Sequence, residues 1–150
     1  MSADTQSRAT APVHKTLELE RSAGEAFDHF VQGIGIWWPL EAHSLGEDKA
    51  ESVVLEPKVG GRLYEIWRDG TRKVWGEVLA FDPPRHVAFS WVLNGPPEDA
   101  TRVDVRFTAL GESRCRMELI HSGWENRSEG ALWRERYHSG WDGVLARFVA

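Results

Sequence analysis

The chain has 150 residues, of which 41% are hydrophobic and 27% charged, and a formal net charge of -5. That is the length of one domain with one core, and the composition of a globular chain rather than a disordered or membrane-embedded one. With 18 Lys+Arg against 23 Asp+Glu there is no basic stripe for phosphates, and the single cysteine, Cys115, excludes an internal disulfide framework and a zinc knuckle.

No window approaches 18 consecutive apolar residues, and the opening MSADTQSRATAP has no apolar h-region. Membrane insertion and nucleic-acid binding are therefore not expected, and a cytoplasmic location is the default. Eight tryptophans among 150 residues are unusual. Each brings a large apolar body and one N–H that needs a partner when buried, which suits walls that are partly dry and partly polar.

Residues 1–12 are small and polar and read as a disordered lead before a single domain over 13–150. His14 to Glu20 then alternates with strand periodicity, placing Leu17 and Leu19 on one face. Ser22 with Glu25 is a capping-box pair, and Ala26, Phe27, Phe30 and Val31 recur at helical spacing, so a helix is predicted over 23–33. Gly33 and Gly35 stop it, and Pro39 restricts Trp38 to extended geometry. Trp37 and Trp38 thus fall in a constrained loop or a short second helix.

From Ser52 to Ser122 the punctuation is that of an antiparallel meander, with strands expected at 52–57, 62–68, 72–81, 85–93, 102–110 and 114–122. Asp69-Gly70 predicts a primed two-residue hairpin, Asp82-Pro83-Pro84 a turn, and Asn94 to Asp99 a longer loop. After Trp124 the period changes. Ala131, Trp133, Tyr137, Trp141, Val144, Leu145 and Phe148 mark one face of a long terminal helix, whose Gly140 and Gly143 are expected to pack closely on the sheet. The tetrapeptide HSGW occurs twice, at 121–124 and 138–141, but ends a strand in one place and lies in mid-helix in the other. It is not a repeat.

Strand parity separates faces. Val87, Phe89, Trp91 and Leu93 share one side, as do Val103, Val105 and Phe107, and Cys115, Met117, Leu119 and His121, which points His121 inward. Leu63, Glu65 and Trp67 fall together, and so do Trp75, Glu77, Leu79 and Phe81. Inward carboxylates at Glu65 or Glu77 would need donors, while a bulge would turn either to solvent; parity leaves both readings open.

The order of strand, short helices, meander and long C-terminal helix is the helix-grip order, an α+β fold with a curved antiparallel sheet of about seven strands. Ile34 to Pro39, Leu55 to Arg62, Trp67 to Gly70, Trp75 to Val78, Phe81 to Pro84 and Gly140-Trp141 with Leu145 together resemble the START-like (SRPBCC) superfamily. They are most similar to its branch named for the C-terminal domain of the activator of heat-shock-protein-90 ATPase. The resemblance covers about residues 13–149. It implies a hydrophobic cavity between sheet and terminal helix, where superfamily members bind lipids, sterols, polyketides or plant hormones and some catalyse cyclisation or hydrolysis. A chaperone partner and a homodimer are implied by the branch alone. It supplies no shared catalytic residue set.

The six histidines contain no His-x-His and no HExxH, so no metal site is expected. No Gly-rich loop precedes a helix and no Gly-x-Ser-x-Gly elbow occurs, which leaves cofactor and nucleotide chemistry without a motif. Cys115 lies among apolar strand residues, where a thiol is a poor nucleophile. The main expectation is a small, largely apolar or aromatic ligand in an internal cavity lined by Trp37, Trp38, Glu65, Trp67, Trp75, Phe89, Trp91, His121, Trp124, Tyr137 and Trp141. Two other readings remain open. One is an interaction module acting on a chaperone ATPase, and the other a hydrolase or cyclase using Glu65 and His121 as acid and base, which requires those side chains to lie within hydrogen-bond reach of one another or of a shared water.

Overall fold

A computed structural model describes residues 9–92 and 96–150. Most of the predicted lead, together with Leu93 and the Asn94-Gly95 start of the long loop, lies outside the described residues. Seven antiparallel strands form one sheet in the order β1-β7-β6-β5-β4-β3-β2, with β1 Val13–Leu19, β2 Ala50–Leu55, β3 Arg62–Trp67, β4 Arg72–Asp82, β5 His86–Trp91, β6 Thr101–Gly111 and β7 Arg114–Ser122. The α-helices set out in full among the described residues are α1 Ala23–Val31, α2 Ile34–Trp37 and the long α3 Gly130–Val149. The sheet curls around α3 in the helix-grip arrangement. No helix among the described residues is long and apolar enough to cross a membrane.

The start of α1 carries the capping box that Ser22 and Glu25 predict: the Ser22 hydroxyl accepts the Glu25 N–H at 3.1 Å, and the Glu25 carboxylate accepts the Ser22 N–H at 3.4 Å. Its apolar stripe lies on the sheet, with the Phe27 ring 5.9 Å from Phe107 and Phe30 5.6 Å from Phe148 of α3. Phe148 also meets Trp37 at 5.0 Å. Near its C-terminus α3 is therefore packed against α1 and α2 through Phe148. Its middle is not, and that difference positions the site.

Parity holds through β5, β6 and β7, where Val87, Phe89, Trp91, Val103, Val105, Phe107, Cys115, Met117, Leu119 and His121 are all buried. In β4 it breaks. The β3–β4 register shifts between Leu63 and Tyr64, and the β4–β5 register between Val78 and Ala80. Trp75, Val78 and Phe81 consequently face the core side, while Glu77 and Leu79 turn to solvent, so the predicted four-residue face does not exist. The first shift is tied to Gly76, whose backbone lies so close to the Ser90 carbonyl that a Cβ would overlap it.

Three further expectations are corrected. The β3–β4 connection is not a primed two-residue turn. Trp67 accepts the Gly70 N–H at 2.9 Å and donates its own N–H to the Thr71 carbonyl at 2.8 Å, giving a three-residue loop in which only Gly70 has positive φ, at 90°. The Asp69 carboxylate accepts the Thr71 N–H at 2.9 Å and holds Asp69 in the ordinary region. Ala131 of α3 is exposed rather than on the buried face. Gly140 and Gly143 do not pack on the sheet: a Cβ at Gly140 would meet only the His43 ring, at 3.6 Å, and one at Gly143 would meet nothing. Nothing in the structure explains Gly143.

Candidate ligand-binding site

Where α3 leaves the solid part of the core, a cavity of about 250 Å³ opens between the helix, β5 and the segment after α2. Tyr137, Gly140 and Val144, at helical spacings of three and four, form one wall; Trp38, Trp91 and Trp141 form the floor; Ala42, His43 and Ser44 form the facing wall, with Arg136 at the rim. The centroids of Trp38, Trp91 and Trp141 lie 5.8–6.0 Å from one another, and Tyr137 stands edge-on to Trp91 at 6.1 Å. Such offset and tilted ring packing is favourable beyond area burial alone.

Each indole N–H on this floor already has an acceptor. Trp38 donates to the His43 carbonyl at 2.7 Å, Trp91 to the Tyr137 hydroxyl at 2.8 Å, and Trp141 to His121 Nδ1 at 3.0 Å. Ser44 is occupied too, donating to the Leu40 carbonyl at 2.7 Å and accepting the Glu47 N–H at 2.9 Å. The indoles thus show the cavity only their apolar surface. Among the described lining residues, the polar groups without such a commitment are the Tyr137 O–H proton, the His43 imidazole and the Arg136 guanidinium. Burial raises the Tyr137 phenol above its ordinary value, against the Trp91 hydrogen bond and the Arg127 charge. Burial also lowers His43, Glu41 opposing. Near neutral pH the phenol is protonated and the imidazole neutral.

Behind the floor, His121 is fully buried. Because Trp141 donates to Nδ1, the proton must sit on Nε2, which meets Thr101 Oγ1 at 2.7 Å; Thr101 in turn donates to the Trp91 carbonyl at 3.3 Å. Trp124 closes the cluster by donating to the His121 carbonyl at 2.9 Å. Desolvation, helped by the Arg127 charge, lowers His121 to about 3. It positions Trp141 and does not line the cavity.

Glu65 is also fully buried. Its Oε1 accepts the Leu45 N–H and the Trp75 indole N–H, both at 2.7 Å, and its Oε2 accepts the Gly46 N–H at 2.9 Å and the Trp67 indole N–H at 2.7 Å. Inward Glu65 is therefore satisfied, and it fastens residues 45–46, which directly follow the His43-Ser44 wall. The structure does not join Glu65 and His121 in a hydrogen-bonded pair. Both are committed elsewhere, which removes the geometric condition set for an acid–base couple.

Of the residues expected to contact ligand, the cavity brings together Trp38, Trp91, Tyr137 and Trp141. Trp37, Trp75, Phe89 and Trp124 are buried in the surrounding core. Trp67 lies outside, with the Lys49 and Lys73 ammonium groups 5.6 and 5.3 Å from its ring centroid. Ala42, His43, Ser44, Arg136, Gly140 and Val144 had not been singled out as ligand contacts. For Arg136 the signal was present, since Arg136, Gly140 and Val144 recur every four residues. For 42–44 there was none, because that stretch has no periodicity.

Comparison with known proteins fits this architecture. The family described as "Activator of Hsp90 ATPase homolog 1-like protein" matches residues 37–150. Among solved structures, an anthrahydroquino-γ-pyrone synthase, Txn09, is 33% identical, with 92% of this chain and 94% of that chain covered and a TM-score of 0.64. CalC, a self-sacrificing resistance protein from Micromonospora echinospora, is 25% identical over 93% and 92% of the chains, with a TM-score of 0.65. The Aha1 dimer from Colwellia psychrerythraea shares the fold, with a TM-score of 0.67 over 93% of both chains, at 13% identity. No curated protein matches the chain in sequence.

Proposed function

Since the chain belongs to the activator of Hsp90 ATPase homolog 1-like family of the START-like superfamily, we propose that it binds one small planar aromatic molecule in the cavity between α3 and the sheet. The observation that carries this reading is an open space of about 250 Å³ bordered by Trp38, Trp91 and Trp141, whose N–H groups are already engaged. Stacking on these rings supplies affinity, and Tyr137 and His43 orient the ligand. The relative sharing 33% identity is a synthase whose product name describes a fused polycyclic quinol-pyrone. That supports a flat, multi-ring ligand class.

Titrating neutral two- and three-ring aromatics while following Trp emission tests the proposal. We expect saturable one-to-one quenching by at least one of them. Gly140→Leu would project a side chain towards His43 and into the cavity, and should weaken binding tenfold or more. Gly143→Ala, facing open space, should leave binding unchanged. Absence of saturable quenching by every probe, or equal affinity in the Leu variant, would overturn the reading.

A further inference from the structure

The cavity has one sign of charge. None of its lining residues is a carboxylate, in a chain whose net charge is -5, and its rim carries the Arg136 guanidinium, for which no described residue supplies a hydrogen bond or ion pair. Arg136 rests over the Trp133 ring, 4.9 Å from its centroid. A second guanidinium, Arg127, lies 4.3 Å from the same ring, is only 6% exposed, and leaves Nε and Nη1 without an acceptor among the described residues. Glu41, close to the rim in sequence, already pairs with Arg147 at 2.8 Å. The Arg127 charge acts on Tyr137, whose hydroxyl accepts from Trp91 and keeps its own proton to donate, and Arg136 adds a second positive charge at the rim. A buried cation without a counter-charge, as at Arg127, is unfavourable, and an exposed one at the rim, as at Arg136, favours an anionic ligand over a neutral one of the same shape.

Building on the binding reading above, we infer that the ligand is an aromatic oxyanion, a ring system bearing a carboxylate or an acidic enol, whose charged oxygen takes the Tyr137 O–H and faces Arg136. The rings lie on the Trp38, Trp91 and Trp141 floor, and the oxyanion lies at the Tyr137 end. Tyr137 is left to act as a donor because the Trp91 N–H already occupies one of its lone pairs.

Two probes of equal shape test this: 2-naphthoate, which is anionic, and 2-naphthamide, which is neutral, each titrated by Trp fluorescence against the intact protein. The naphthoate should bind about tenfold more tightly, as expected for a charge-assisted hydrogen bond with a guanidinium nearby, and the margin should narrow as salt is raised. Arg136→Gln should bring the two affinities close together by weakening naphthoate binding more than amide binding, and Arg136→Glu should reverse the preference. Arg136 is exposed, so these variants are expected to keep the wild-type melting curve. Equal or tighter binding of the amide to the wild-type protein would overturn the inference while leaving the cavity reading intact. Binding of neither probe, where a neutral three-ring aromatic still binds, would overturn this inference alone; failure of all of them would overturn the cavity reading with it.

Discussion

Replacing Glu65 with alanine is expected to lower the unfolding free energy by roughly 3–5 kcal/mol, the range for removing one partner from a buried charged network. The carboxylate holds four N–H groups, two from the Leu45-Gly46 backbone and two from the indoles of Trp67 and Trp75. Alanine leaves all four without an acceptor, and those of Gly46 and Trp75 are buried. Water can reach the other two more readily, which keeps the cost below four full desolvation penalties. Glu65→Gln should fall between wild type and alanine: its amide oxygen can serve one pair of donors, while its NH2 confronts the other pair. Because the fastened backbone continues from the His43-Ser44 wall, ligand affinity should drop together with stability. Urea unfolding monitored with a ligand titration measures both. A loss below about 1 kcal/mol in Glu65→Ala would mean that the donors find other acceptors, and the latch would then be no latch.

The second large effect is a dependence of stability on pH that runs through His121. In the folded protein its value lies near 3, whereas an exposed histidine in the unfolded chain titrates near 6.5. Between these limits the unfolded chain carries a proton on this side chain that the folded chain does not. The unfolded state therefore gains as pH falls: the contribution is fully present above about pH 6.5 and is lost progressively on the way down to about pH 3. The slope approaches 1.4 kcal/mol per pH unit, or one proton. His121→Gln removes the titration and keeps polar atoms within the cluster. Although this variant should be less stable at pH 7, its stability should fall less steeply from pH 6 to pH 4, by about one proton's worth. Parallel pH curves for the two proteins would show that His121 takes up its proton in the folded state.

These two residues also show where the sequence is legible. Strand alternation through β7 points His121 inward, because Cys115, Met117 and Leu119 share its parity and the register shift in the β6–β7 pairing lies at the far end, at Ala109/Gly111. In β3 parity groups Glu65 with Leu63 and Trp67 but leaves it open between core and solvent, because Tyr64 and Ile66 make the other face equally apolar; its burial depends on donors that lie 19 and 20 residues upstream, in a segment with no period of its own. Glu77 turned outward because of register shifts that Gly76 allows and alternation alone cannot reveal. Trp67 misled for a related reason. It shares parity with Glu65, but Gly46 covers its indole and two lysines flank it, which places it beside the pocket's supporting loop rather than within the pocket. Aromatic content correctly indicated a tryptophan-rich interior. Which indoles face open space was decided by packing between distant elements: Phe30, Trp37 and Phe148 fill one end of the helix groove, and the segment at 42–44 stands back from Gly140 at the other.

The chain's eight indole N–H groups offer the most direct view of the site. In a two-dimensional proton–nitrogen spectrum of uniformly labelled protein, each gives a separate signal in a region free of backbone resonances. Addition of 2-naphthoate to saturation should displace the signals of Trp38, Trp91 and Trp141, whose rings form the cavity floor, while those of Trp37 and Trp67 stay in place. Unchanged signals throughout, or shifts confined to Trp67 and Trp133 at the surface, would contradict a ligand cavity between α3 and the sheet.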